Sequence, residues 1–218
     1  MRGISALLDL LYPPKCPFCQ QVLERGEEGL CRRCQRELPW ITGEVKEQTV
    51  EFCAACLSPL WYRDKAAEGV RRYKFRGKSL YAGLFGTLMA QCVHDRLSEP
   101  VDLVTWVPLS EKRLRERGYD QSRLLAERVA EELELPAART LEKWHDTPAQ
   151  SLIDDPSARR ANVRGVYRPA EDCSVEGKHI LLVDDVTTSG ATLSECAACL
   201  RAAGAAAVTA LTLAKAGK

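Results

Sequence analysis

The sequence predicts an α/β protein: a mostly parallel sheet flanked by helices, preceded by a small cysteine-rich domain. Three observations carry this expectation. Residues 180–183 (Ile-Leu-Leu-Val) form a short apolar run, a helical stretch opens at Gly190, and residues 207–213 are apolar again, which reads as a strand-helix-strand unit. Residues 103–107 form a second apolar run, ended by Pro108 and followed by helical periodicity. Three Cys-x-x-Cys pairs, Cys16/Cys19, Cys31/Cys34 and Cys53/Cys56, fall in the first quarter of the chain.

Residues 1–60 are expected as one domain and residues 61–218 as another. The first lacks long apolar periodicity, and Gly26, Gly29, Pro39 and Gly43 mark turns. A segment this small cannot build a self-sufficient core, so another source of stability is needed. Cys16, Cys19, Cys31 and Cys34 have C-x2-C-x11-C-x2-C spacing, which suits four thiolates around a structural zinc ion. Cys53 and Cys56 either replace one of those pairs, hold a second metal incompletely, or bind none.

In the second domain, residues 79–97 are helical in character, with Leu80, Leu84, Leu88 and Cys92 on the face expected against the sheet. The strand at residues 103–107 leads into a basic segment at residues 112–117. A helix over residues 118–133 follows, carrying Leu124, Leu125 and Val129 and stopping before Pro136. Residues 140–144 read as a strand, and residues 147–165 as a long polar loop. Residues 180–183, 191–203 and 207–213 complete the parallel unit, whose ligands belong at the strands' carboxyl ends.

Composition narrows the function classes. The 218 residues are 45% hydrophobic and 28% charged, with 31 basic and 30 acidic side chains and a formal net charge of +1. Bulk charge therefore does not mark a nucleic-acid binder, and any basic surface is local. No run approaches the roughly 20 apolar residues of a membrane span. Residues 4–11 are too short and include Asp9, and no small-residue cleavage site precedes Pro13-Pro14. The expected location is cytoplasmic.

The richest chemistry lies in residues 179–192, His-Ile-Leu-Leu-Val-Asp-Asp-Val-Thr-Thr-Ser-Gly-Ala-Thr. A strand-loop-helix junction aims unpaired backbone N–H groups at one point, and the helix dipole favours a phosphate there. Thr187, Thr188, Ser189 and Thr192 add hydroxyls, with Gly190 and Ala191 keeping the turn open. Asp184 and Asp185 can accept hydrogen bonds from vicinal hydroxyls or hold a metal through water. A tight turn with a helix cap explains these residues singly, but not two adjacent acids followed at once by Thr-Thr-Ser-Gly-x-Thr.

A second loop follows the strand at residues 103–107. Leu109, Ser110, Arg113, Arg115 and Arg117 offer backbone N–H groups and guanidinium forks suited to phosphate oxygens. Glu111 and Glu116 among them leave a solvated, charge-mixed loop as the other reading. The polar stretch at residues 147–165 suits a lid, with Gln150, Arg159 and Arg160 within reach of a ligand's phosphates.

Residues 184–192 resemble the phosphoribosyl pyrophosphate (PRPP) motif of type I phosphoribosyltransferases. That resemblance implies that Asp184 and Asp185 bind the ribose hydroxyls and magnesium. It places the 5-phosphate on residues 187–192 and the pyrophosphate on the loop after the earlier strand. Over nearly its full length the chain resembles the ComF family of competence-associated, phosphoribosyltransferase-like proteins. The early cysteine pairs, residues 73–77 (Tyr-Lys-Phe-Arg-Gly), residues 117–122 (Arg-Gly-Tyr-Asp-Gln-Ser), the region from Gln150 to Arg160-Ala-Asn-Val and the PRPP loop carry the likeness. It implies a zinc ribbon on a type I phosphoribosyltransferase fold and a role in DNA uptake during natural transformation, with single-stranded DNA and a competence helicase as partners. Relatives often carry a further cysteine pair beyond the one at Cys53 and Cys56. Residues 61–66 run through without it, which argues against a second complete zinc site.

Arg71, Arg72, Tyr73, Lys74, Phe75, Arg76 and Lys78 interleave cations with aromatics, as single-strand binding surfaces do. An amphipathic entry into the next helix, with Tyr73 and Phe75 buried, is the favoured alternative. Cys196 and Cys199 fall on a helix among alanines and read as small core residues. His94, His145 and His179 stand beside no nucleophile or metal set.

Two functions fit these residues. One is a magnesium-dependent phosphoribosyltransferase of nucleotide metabolism, transferring ribose 5-phosphate from PRPP to a base or amine. Thr188 occupies the position at which 6-oxopurine salvage enzymes carry an aspartate, which argues against that salvage. Nor is a glutaminase domain visible, since residue 2 is Arg and the early cysteines are paired. The other is a non-catalytic module that binds PRPP or a related ribose phosphate and links DNA import to partner proteins.

Overall fold

The computed structural model describes residues 13–43, 50–75, 79–144, 165–172 and 174–217. Five strands build the main sheet: β1 (Ala55–Leu57), β2 (Leu60–Trp61), β3 (Leu103–Trp106), β6 (His179–Thr187) and β7 (Ala207–Lys215). All pairings are parallel, in the order β1-β7-β6-β3, with β2 also on β7. A separate antiparallel pair joins β4 (Leu141–Lys143) to β5 (Tyr167–Pro169). The chain enters the sheet at Ala55, ahead of the expected division at residue 60, because β1 pairs with β7.

The helices are α1 (Arg32–Glu37), α2 (Asp64–Phe75), α3 (Ala82–Arg96), α4 (Glu111–Arg117), α5 (Gln121–Glu132) and α6 (Ala191–Ala202), with a short 3-10 turn at Ser79–Tyr81. Residues 112–117 are therefore helical and belong to α4, and α5 begins only at Gln121. Gly118, at φ +78, stops α4, and Asp120 caps α5 by accepting from the N–H groups of Ser122 and Arg123.

Period-2 alternation in the strands divides the core. Leu181 and Val183 of β6, with Leu211 and Leu213 of β7, pack on the face covered by α2, α3 and α5. Ile180 and Leu182, with Val208 and Ala210, pack on the opposite face beneath α6 and the β4-β5 pair. The helices after β3 and β6 therefore cover opposite faces. Their strands are neighbours, so a crevice opens where their carboxyl ends part, the place at which open α/β sheets bind ligands.

The buried face of α3 differs from the expected one. Cys92 is buried as expected, with Ala82, Phe85, Gly86, Met89, Ala90 and Val93, whereas Leu80 is exposed and Leu84 and Leu88 are half-buried. Leu84 instead packs on Gly29 of the cysteine-rich segment.

That segment is fused to the sheet domain by named contacts. Phe18, between Cys16 and Cys19, has 0% exposure, and its ring lies 5.2 Å from that of Phe85. A Cβ on Gly69 of α2 would come within 2.6 Å of Phe18, so only glycine permits this approach. Arg72 Nη1 donates to the carbonyls of Pro17 and Phe18 at 3.2 and 2.8 Å, and Lys65 pairs with Glu37 at 2.6 Å. Among the described residues, no helix is long and apolar enough to cross a membrane.

Candidate ribose-phosphate site and metal centre

Strand β6 runs past the apolar residues 180–183 to Thr187, so Asp184 and Asp185 stand on its last turns of pleat rather than beyond it. Asp184 Oδ1 accepts from Ser122 Oγ at 2.8 Å and from the Asp185 backbone N–H at 2.8 Å. Removal from water, with the neighbouring charge of Asp185, pushes the Asp184 carboxyl up to about 7. Asp185 is 2% exposed; its Oδ1 pairs with Lys74 Nζ at 2.7 Å, and its Oδ2 has no hydrogen-bond partner.

The turn after β6 has the features of an anion cradle. Gly190 takes φ +77 as the residue before α6 and has no side chain with which to cap that helix. Ser189 Oγ accepts from the Ala191 N–H at 3.5 Å. Thr187 is buried, with an Oγ1 that has no partner, while Thr188 is exposed and Thr192 half-buried. Buried polar atoms without partners are rare in folded proteins. Three of them, Asp185 Oδ2, Thr187 Oγ1 and Gln121 Oε1, belong to the ends of β6 and the start of α5.

The loop after β3 contributes less uniformly. Ser110, 4% exposed, spends its Oγ as the cap of α4, accepting from the Arg113 N–H at 3.4 Å. The Leu109 N–H points to Asp120 Oδ2 at 3.5 Å. Arg113 and Arg117 are half-buried, whereas Arg115 is exposed and lies 3.5 Å from Glu111 along α4. Arg115 thus takes the solvated position that the charge-mixed alternative describes. Gln150, Arg159 and Arg160, expected in a lid, lie outside the described residues.

The basic segment at residues 71–78 is the end of α2, and its residues divide by function. Tyr73 has 0% exposure, its Oη donates to the Gln121 carbonyl at 2.7 Å, and its ring meets Phe85 edge-on. Burial of Tyr73 agrees with the favoured amphipathic reading and leaves its ring unavailable for stacking on a base. Arg72 donates to the carbonyls of the cysteine-rich segment and Lys74 pairs with Asp185. Arg71 is exposed; Arg76, Lys78 and the side chain of Phe75 lie outside the described residues.

Lys74, Gln121 and Ser122 are the site residues that sequence reasoning did not place there. Ser122 and Gln121 had a signal in the Asp-Gln-Ser cap after the β3 loop. Lys74 had none beyond its charge.

Cys16, Cys19, Cys31 and Cys34 converge, with all four sulfurs within 4.8 Å of one another and Cys19 Sγ 3.5 Å from Cys31 Sγ. Four mutually close thiols with no disulfide suit tetrahedral zinc, whose Zn–S bonds of about 2.3 Å place sulfurs just under 4 Å apart. Cys56 instead pairs through β1 with Ala210 of β7, so among the described residues Cys53 and Cys56 do not join that cluster.

The double zinc ribbon domain family matches residues 7–48, and the phosphoribosyl transferase domain family matches residues 120–218. The chain is 28% identical to competence protein ComFC of Bacillus subtilis, over 97% of this chain and 96% of that protein. It is 27% identical to DNA utilization protein YhgH of Escherichia coli, over 91% and 96%, and 26% identical to competence protein F of Haemophilus influenzae, over 87% and 92%. Among solved structures, glutamine PRPP amidotransferase of B. subtilis aligns with a TM-score of 0.44 at 23% identity, covering 65% of this chain and 30% of that larger one.

Proposed function

We propose that this chain, a homologue of the ComFC and YhgH proteins along most of its length, is a cytoplasmic PRPP-binding protein that acts in DNA uptake. The observation that carries the ligand is the acid pair, Asp184 half-buried and Asp185 buried, beside the start of α6. Asp185 Oδ2 and Thr187 Oγ1 are buried hydrogen-bonding atoms with no partner in the protein, one suited to a ribose hydroxyl and the other to a phosphate.

Each residue then has a task. Asp184 and Asp185 accept the vicinal hydroxyls, and the turn from Thr187 to Thr192 cradles the 5-phosphate with backbone N–H groups. Arg113 and Arg117 face the pyrophosphate across the crevice between β3 and β6. Magnesium, when bound with the ligand, neutralises pyrophosphate charge; Asp184, and Asp185 through water, offer the oxygen acceptors that hold it. The zinc ribbon is structural, because its cysteines are saturated as a four-thiolate set and Phe18 is driven into the core between two of them.

The DNA-uptake role rests on the relatives, whose names place them in competence and DNA utilization. Single-stranded DNA binding draws no support from the buried Tyr73; of the other cations in that segment, Arg71 is exposed. The alternative of an active phosphoribosyltransferase uses the same pocket. The two are separated by incubating PRPP and magnesium with candidate bases and amines: acceptor-dependent pyrophosphate release establishes catalysis. Saturable PRPP binding without such release supports the binding module. Absence of PRPP binding overturns the reading itself.

A further inference from the structure

Lys74 pairs with the acid pair, and its position is built rather than incidental. Its Nζ lies 2.7 Å from Asp185 Oδ1, and its side chain is 24% exposed. The end of α2 is fixed on three sides. Arg72 binds the carbonyls of Pro17 and Phe18, Tyr73 Oη donates to the Gln121 carbonyl, and Tyr119 Oη donates to the Tyr73 carbonyl. The ion pair with Asp185 already orders the Lys74 side chain, so a ligand meets it partly preorganised.

Charge decides what that arrangement accepts. Asp185 already has a monovalent partner on one oxygen and an unpartnered, buried Oδ2 on the other. A divalent ion bound directly to Asp185 would have to displace the ammonium or lie beside it, at a cost from like-charge repulsion. A sugar hydroxyl meets no such cost: it donates to Oδ2, while its own oxygen or a nearby phosphate oxygen accepts from Lys74.

We propose that Lys74 is a ligand-binding residue of this crevice and the resident counter-ion of Asp185, so that ribose 5-phosphate compounds lacking pyrophosphate bind without a divalent metal. The inference rests on the ribose-phosphate reading of the pocket and extends it to a second ligand class.

The test is calorimetric titration of the full chain with ribose 5-phosphate in magnesium-free buffer, alongside PRPP with magnesium. Wild type is expected to bind both. Lys74→Met should weaken metal-free ribose 5-phosphate binding by about 10-fold or more, and Lys74→Arg should keep most of it. Manganese binding to the protein alone should tighten in Lys74→Met, since the competing cation is gone. In wild type, acylation of Lys74 by an amine-reactive ester, read by mass spectrometry, should fall when ribose 5-phosphate saturates; this measurement stands even if Lys74→Met fails to fold. Ribose 5-phosphate binding that needs magnesium, or that Lys74→Met leaves unchanged, overturns this proposal while PRPP binding stands. Unaltered acylation of Lys74 overturns it equally. Failure of both ligands to bind wild type overturns the pocket reading beneath it.

Discussion

Ser122 Oγ donates to Asp184 Oδ1 at 2.8 Å and so joins the first turn of α5 to the end of β6, across the crevice mouth. The bond stabilises the ionised carboxylate, opposing the upward push from burial and from Asp185. Ser122→Ala is therefore expected to raise the Asp184 pKa further and to weaken magnesium-dependent PRPP binding near neutral pH by about 10-fold. Affinity measured from about pH 6 to about pH 9 checks this, because the deficit should shrink as the pH rises and Asp184 ionises in both proteins.

Asp184 also links stability to pH. Its folded pKa is about 7, above the ordinary carboxyl value of 3.8, so the folded state holds this proton more tightly than the unfolded state. Its contribution is present below the unfolded value and is lost as pH rises through about 7. Asp184→Asn removes this titration. Relative to wild type, the variant should be more stable at about pH 8 than at about pH 5, as read from urea midpoints.

The contact of Phe18 with Gly69 sets how the ribbon sits on α2. Alanine in a helix interior usually gains about 1 kcal/mol over glycine. Here a Cβ would lie 2.6 Å from the Phe18 ring, so Gly69→Ala should instead destabilise by about 1–3 kcal/mol. Combining it with Phe18→Leu, which narrows the side chain, should recover part of the loss in a double-mutant cycle.

Removing one zinc ligand should act on stability first. Cys16→Ser leaves three thiols and is expected to lose the metal of that cluster and to lower the unfolding midpoint, because metal affinity there is folding free energy. Elemental analysis with thermal unfolding checks both; retained metal would show that other groups ligate it.

The parallel sheet, the strand-turn-helix junction after β6 and the four-cysteine cluster were legible because each is local. An apolar run, a two-acid step and a C-x2-C spacing all report themselves within a few residues. What was not legible depends on contacts between distant segments. Lys74 looked like one cation among several in a basic run, and only the packing of α2 beside β6 sends it to Asp185. Burial of Tyr73 is the favoured reading of that run; what the run does not reveal is the partner of its hydroxyl, the Gln121 carbonyl. The face of α3 was misplaced for a related reason: Leu84 had an apolar partner in the ribbon, which sheet periodicity does not reveal.

The central claim is that the acid pair binds the ribose of PRPP. Calorimetric titration of PRPP with magnesium into wild type and into Asp184→Asn with Asp185→Asn, at equal zinc content, tests it most directly. The account predicts saturable binding to wild type and none detectable in the variant, with the metal of the ribbon retained in both. Equal PRPP affinity in the two proteins would contradict it.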